Sequence, residues 1–130
     1  MLIDANIFIE VLLEQEKAEK CKEILKKVAS GQIKAVISLF TIDSIIIILE
    51  RSKVGIEKIK LFINSLYNYN GLKIYAPTIT DRIRALEYIG AGLDYEDSLV
   101  LQCALSNNTN EILSMNKDFD KIRKINRIKI

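Results

Sequence analysis

The chain contains no histidine, and this absence restricts its possible chemistry more than any other feature of its composition. Hydrolases built on Ser-His-Asp or Cys-His, ribonucleases that use imidazole as acid and base, and zinc enzymes with histidine ligands are all excluded. An enzyme of this composition must therefore work with carboxylates, lysine, tyrosine or a bound metal ion.

Other scarce residues bear on architecture and location. The two cysteines, Cys21 and Cys103, fall within apolar helical patterns, so we interpret them as reduced core residues. A single proline and five glycines indicate short linkers. The longest purely apolar run, residues 45–49, is too short to cross a membrane. No signal peptide is visible at the N-terminus, so we expect a cytoplasmic protein with no membrane partner.

The size and charge of the chain suit one globular domain. Its 130 residues are 49% hydrophobic and 28% charged, and we assign residues 1–130 to a single domain. The net charge of +2 argues against a strongly basic coat protein. It is compatible with a nuclease that concentrates positive charge locally.

Short apolar strands alternate with helices along the chain. The strands are predicted at residues 2–3, 34–38, 72–75, 111–114 and 127–130, and the helices at residues 6–13, 14–30, 41–51, 55–68, 80–89 and from 94 onward. Thr41, Thr80 and Asp94 are the expected helix caps. This alternation predicts an α/β fold with a mostly parallel sheet that is covered on both faces.

Acidic and amide side chains stand where the predicted strands end. Asp4 follows the first strand, and Asn116 and Asp118 follow the fourth, while Asp94 and Asp97 open a helix. Ligands gather at the carboxyl ends of parallel strands, so these side chains are expected at one edge of the sheet. Together they would repel one another unless a cation such as Mg²⁺ or Mn²⁺ neutralised them. Taken singly, each could equally be a helix cap or a turn residue.

Three segments resemble motifs of the PIN-domain nuclease family. Residues 2–6 are similar to its opening strand, whose aspartate is a metal ligand, here Asp4. Residues 93–99, followed by Ala104, resemble the third acidic motif, with Asp97 as the principal acid. Residues 112–120 resemble the closing motif of a strand, Ser or Thr, and an acid-rich turn.

The resemblance implies a three-layer α/β/α sandwich with a mostly parallel sheet. It also implies a metal-dependent endoribonuclease that hydrolyses RNA phosphodiester bonds with Mg²⁺ or Mn²⁺. Homodimers are common in the family, and many members are toxins with a cognate antitoxin protein as partner. The implied catalytic residues are Asp4, Asp97 and Asp118. The same three residues and Asn116 would hold the metal, with Asp94 and Asp43 as further candidates.

Two positions depart from the family pattern. The second acid is expected three residues after Thr41, where this chain has Ser44. Asp43 lies one residue early, a rotation of about 100° around a helix, and Glu50 lies further along. Asn116 stands where an aspartate is common. Fewer charges predict weaker metal binding and a slow or degenerate nuclease.

Other functions are compatible with parts of the sequence. A PIN-like module could bind RNA or a protein without catalysis. Residues 4–6 also resemble the nucleophile motif of haloacid dehalogenase phosphatases, although Asn6 cannot supply the proton of that mechanism. A receiver-like domain is a further α/β option.

Six basic residues lie between positions 117 and 129, next to the proposed metal site. Lys117, Lys121 and Arg123 are the candidates for contacts with RNA phosphates beside the acids. A solvated edge next to the last strand would account for the same charges.

Overall fold

The computed structural model describes residues 1–130, which form a five-stranded sheet between two layers of helices. The strands are β1 (Leu2–Ile3), β2 (Ala35–Ser38), β3 (Leu72–Tyr75), β4 (Glu111–Leu113) and β5 (Asn126–Ile128). Their order in the sheet is β3-β2-β1-β4-β5, and every pair is parallel. The predicted parallel α/β sheet is confirmed.

Six α-helices connect the strands. They are α1 (Ala5–Leu12), α2 (Ala18–Ala29), α3 (Leu39–Arg51), α4 (Ile56–Ser65), α5 (Ile79–Ala85) and α6 (Tyr95–Ser106). Short 3₁₀ helices cover Leu66–Asn68, Leu86–Ala91 and Lys117–Lys121. No helix is long and apolar enough to span a bilayer.

Two hydrophobic cores lie on opposite faces of the sheet. Ile3 and Leu113 join the core under α1, α2, α3 and α4. Their neighbours Leu2 and Ile112 point the other way, into the core under α5 and α6. Successive side chains of a strand alternate between its faces, so β1 and β4 bury apolar side chains on both faces of the sheet and separate two layers of helices. The three-layer sandwich is confirmed.

The order of the strands determines where in the sheet a ligand-binding site is expected. From β1 the chain moves outward to β2 and β3, then crosses back to add β4 and β5 on the other side of β1. The carboxyl ends of β1 and β4 therefore lie side by side where the winding reverses, which is where open α/β sheets bind ligands. Asp4 and Ser114 are the residues that leave these two strand ends.

Two predicted helix caps are wrong, each by less than one turn. The cap of α3 is Ser38, whose Oγ accepts the Phe40 amide at 3.1 Å, and Thr41 is buried inside the helix. The cap of α5 is Thr78, which forms a reciprocal capping box with Asp81. In both cases the serine or threonine nearest the strand end caps the helix. The predicted Asp94 cap of α6 is confirmed.

Two predicted helices are shorter than expected. The helix predicted for residues 14–30 begins only at Ala18, since Glu14 has a positive φ of 52° and turns the chain. The helix predicted for residues 80–89 is an α-helix only over Ile79–Ala85 and continues as a 3₁₀ helix over Leu86–Ala91. Both cysteines are free and buried, as predicted.

Candidate active site

Asp4 is fixed at the carboxyl end of β1 by hydrogen bonds to both of its oxygens. It is 8% exposed. Its Oδ1 accepts the Ala5 amide at 2.8 Å, and its Oδ2 accepts Ser114 Oγ at 2.6 Å and Asn6 Nδ2 at 3.0 Å. Burial raises the pKa of Asp4, and these hydrogen bonds oppose that increase. Asp4 is thus both the cap of α1 and a rigid carboxylate at the sheet edge.

Ser114 joins the two strand ends that meet here. Besides donating to Asp4, its Oγ accepts the Asn116 amide at 2.9 Å and Asn6 Nδ2 at 3.0 Å. Asn6 completes the link, because its Oδ1 accepts the Met115 amide at 3.2 Å. This network fixes the turn after β4 against the start of α1.

Asp97 enters the same region from the first turn of α6. The Asp94 cap accepts the Asp97 amide at 2.8 Å. The Asp97 side chain is partly buried, and its Oδ2 accepts Asn116 Nδ2 at 2.9 Å. Burial, together with the negative charges of Asp94, Asp4 and Asp118, raises the pKa of Asp97 to about 6.

Both polar atoms of the Asn116 side-chain amide make hydrogen bonds within the site. Its Nδ2 donates to Asp97, and its Oδ1 accepts the Asp118 amide at 3.0 Å. That oxygen is the only side-chain atom with which asparagine could ligate a cation. In this arrangement Asn116 holds Asp97 in place and shapes the turn that carries Asp118.

These residues line one open cleft of about 340 Å³, which we call the acidic cleft. Its lining is Asp4, Ala5, Asn6, Ile9, Ile48, Asp94, Glu96, Asp97, Asn116 and Asp118. Residues distant in sequence therefore meet as the predicted topology required. Glu96 was not among the predicted site residues, and its place in the first turn of α6 was the only sequence signal for it.

The match to known families is decisive for the identity of the domain. A model of the PIN domain matches residues 1–125. The chain belongs to the PIN-domain family. The resemblance noted in the sequence is confirmed, and the phosphatase and receiver alternatives lose their support. No curated protein sequence matches the chain.

Solved structures similar to this PIN domain share its fold at low sequence identity. VapC20 of Mycobacterium tuberculosis, described as a sarcin-ricin loop cleaving toxin, has a TM-score of 0.73 at 11% identity over 92% of each chain. VapBC2 of Rickettsia felis, bound to a DNA fragment from its promoter, has a TM-score of 0.73 at 16% identity, covering 98% of this chain and 96% of that one. A toxin–antitoxin complex from Klebsiella pneumoniae has a TM-score of 0.73 at 19% identity, covering 99% and 98%.

The second acid of the PIN pattern has no counterpart on α3. Ser44 is partly buried and does not line the acidic cleft, whose only residue from α3 is Ile48. Asp43 is exposed and lies outside the cleft lining, while Glu50 lines a different cavity between α3 and α4. The structure therefore does not bring the candidate Asp43 together with the other acids.

The donor set of the acidic cleft has the chemistry that a divalent cation requires. Asp4, Asp94, Asp97 and Asp118 present carboxylates there, and Lys121 is the only cation paired with any of them, at 3.0 Å from Asp118. As these side chains stand, no three acidic or cysteine side chains lie close enough together to hold a metal ion by themselves. A hard cation that keeps several waters fits such a partial set of oxygen donors.

The predicted RNA-binding residues differ in their freedom to bind phosphate. Lys121 is held by Asp118, whereas Lys117 and Arg123 are exposed and make no hydrogen bond or ion pair. Arg127, also in this basic region, has a structural role. It donates twice to Asp120, at 2.9 and 2.8 Å, and once to the Ser114 carbonyl at 3.1 Å.

Proposed function

We propose that this PIN domain is a metal-dependent endoribonuclease that hydrolyses RNA phosphodiester bonds. The observation that carries the proposal is the convergence of Asp4 and Asp97 in one open cleft, joined through Ser114 and Asn116. Burial and nearby negative charges, that of Asp4 among them, raise the cost of ionising Asp97, and no cation pairs with Asp97 to relieve it. A divalent ion would do so.

Asp4, Asp97 and Asp118 are the proposed catalytic and metal-binding residues, with Mg²⁺ or Mn²⁺ as the ion. Asp94 has one oxygen committed to capping α6, which leaves the other available as a further ligand. When bound, the ion would generate a water nucleophile at neutral pH and neutralise charge on the phosphate. Ser114 and Asn116 keep the Asp4 and Asp97 carboxylates in place.

The proposed substrate contacts lie beside the acidic cleft. Lys117 and Lys121 are the first and last residues of the 3₁₀ helix that carries Asp118, Arg123 follows it, and all three would attract RNA phosphates. An RNA phosphate approaching this edge would meet the positive charges next to the proposed metal ligands. We expect these residues to contribute affinity rather than base specificity.

The protein partner we propose is an antitoxin. The similar Klebsiella pneumoniae structure is a toxin–antitoxin complex, and VapC20 is described as a toxin that cleaves the sarcin-ricin loop. By analogy, this chain would be the toxin of such a pair. Analogy of fold is the support for this assignment.

We also propose a homodimer that uses the exposed face of α5. Ile79, Ile83 and Leu86 are 72%, 61% and 56% exposed and recur at helical spacing along one stripe. Clustered apolar side chains on a surface typically mark an interaction site. A second copy of the chain would cover this stripe.

The nuclease proposal is tested with single-stranded RNA in Mg²⁺ and in EDTA. The wild-type protein should cleave only with Mg²⁺, and both Asp4→Asn and Asp97→Asn should abolish cleavage while circular dichroism shows an intact fold. Asp43→Asn removes the same charge outside the cleft and should keep activity. Cleavage in EDTA, or full activity in either cleft variant, would contradict the mechanism.

A second candidate function is a PIN-like module that binds RNA or protein without catalysis. Ser44 in place of the second acid, and the commitment of the Asn116 carbonyl to the Asp118 amide, favour it. The two functions differ in metal binding. A melting temperature that does not respond to Mg²⁺, combined with RNA binding in EDTA, would identify the non-catalytic module.

A further inference from the structure

Glu96 is the one carboxylate of the acidic cleft that no structural contact occupies. Asp4 has both oxygens bonded, Asp94 caps α6, Asp97 accepts from Asn116 and Asp118 pairs with Lys121. Glu96 lines the same cleft, yet makes neither a hydrogen bond nor an ion pair. Its charge is therefore not required by the contacts that hold the fold together.

The negative charge of Glu96 is close to the buried centre of the site. Its side chain borders the same cleft as those of Asp4 and Asp97. Glu96 is exposed at the mouth of a cleft that already holds four aspartates, and none of the nearby cations pairs with it.

The α3 side of the acidic cleft carries no charged side chain. Ile48 lines the acidic cleft, whereas Ser44, one turn earlier on the same stripe of α3, carries no charge. The position where the PIN pattern places its second acid is therefore empty of carboxylate. The charge that α3 lacks is present across the cleft, on the first turn of α6.

We propose that Glu96 replaces the missing second acid, acting as a ligand or water-holding group for the divalent cation from α6 instead of α3. The inference rests on the proposed metal-dependent function. Asp94, Glu96 and Asp97 would then contribute from one helix turn, and Asp4 and Asp118 from the two strand ends.

An acid in the first turn of a helix also interacts favourably with the helix dipole. A control variant separates this structural role of Glu96 from metal binding. Glu57 offers a matched control, as it is the second residue of α4 just as Glu96 is the second of α6. Its carboxylate is 88% exposed and pairs with Lys60, outside the cleft lining. Glu96→Gln and Glu57→Gln thus remove the same charge from equivalent helix positions.

The test is Mn²⁺ binding, measured by calorimetry and by the loss of the free-ion paramagnetic resonance signal. Glu96→Gln is expected to weaken Mn²⁺ affinity by about tenfold or more, the loss typical for groups that support a bound metal. Glu57→Gln should bind like the wild type. Adding Ser44→Glu to Glu96→Gln should restore affinity, because Ser44 is one turn from the cleft residue Ile48 and a glutamate side chain extends further than the serine it replaces.

The outcomes separate the two proposals. If the wild-type protein binds no Mn²⁺, the metal-dependent function fails, and the role of Glu96 fails with it. If the wild type binds and Glu96→Gln binds equally well, only the role of Glu96 is overturned. An equal loss in Glu96→Gln and Glu57→Gln, or no recovery with Ser44→Glu, would also reject the exchange of one acid for another.

Discussion

Replacing Asp97 with asparagine is expected to stabilise the metal-free protein at neutral pH while removing its activity. Asp97 is partly buried beside Asp94 and Asp4, which raises its pKa from 3.8 to about 6. The folded state therefore resists ionisation of this residue more than the unfolded chain does. Asparagine is uncharged and can still accept the hydrogen bond from Asn116 Nδ2.

The size of the effect follows from the pKa difference. A shift of about 2 units corresponds to roughly 3 kcal/mol at about 1.4 kcal/mol per unit. Solvent screening of a partly exposed group reduces this value, so we expect a gain of about 1–2 kcal/mol in the free energy of unfolding. For a domain of this size, that is a rise in Tm of roughly 3–8 °C.

The pH dependence has a definite sign. An acid whose pKa is higher in the folded state costs stability as it ionises, so the cost grows from about pH 4 to pH 6 and is complete above that range. The stability gain of Asp97→Asn should therefore be full at pH 7.5 and nearly absent at pH 4. Thermal or urea unfolding at both pH values, in EDTA, measures it.

Asp43→Asn provides the control, since Asp43 is exposed on α3 and outside the acidic cleft. Its melting temperature should match the wild type at either pH. An unchanged or lower melting temperature for Asp97→Asn at pH 7.5 would refute the electrostatic reasoning. So would a gain of equal size at pH 4, which would point to packing rather than charge.

Three further predictions concern the surroundings of the cleft. Neutralising Lys121 and Arg123 together should weaken RNA binding and reduce its dependence on salt, as measured by titration at several salt concentrations; an unchanged salt slope would reject this contact. Arg127→Gln should lower the melting temperature and slow cleavage, because it releases Asp120 and the Ser114 carbonyl, whereas loss of the exposed Lys129 charge should do neither. Ile83→Glu should convert a dimer into monomers in sedimentation, and an unchanged mass would exclude α5 from the interface.

Local signals in the sequence predicted the presence of the helices and strands more accurately than the residues at which they begin and end. The apolar strands and the Asp94 cap were predicted correctly, because each depends on a few neighbouring residues. The sequence predicts Thr41 and Thr80 as caps, whereas Ser38 and Thr78 cap these helices in the structure. A serine or threonine near a helix start is equally suited at several positions, and the exit direction of the preceding strand selects among them.

The candidate site was predictable to the extent that it follows from strand order. Asp4 comes directly after a buried strand, and parallel strands end at one edge, so its approach to Asp118 and Asn116 could be foreseen. The role of Asn116 could not. Its carbonyl is occupied by the Asp118 amide and its Nδ2 by Asp97, and hydrogen bonds between residues this far apart have no sequence signature.

The sequence by itself determined the class of fold and the class of chemistry, because apolar periodicity and the lack of histidine are properties of composition and spacing alone. Only the tertiary structure decided which acids meet. It left Asp43 outside the cleft and brought in Glu96, since a carboxylate's neighbours depend on the direction in which each helix leaves the sheet. Neighbouring positions on a helix differ by about 100°, yet Glu96 and Asp97 both line the cleft while Asp43 does not, so spacing along the chain alone did not decide which acids meet.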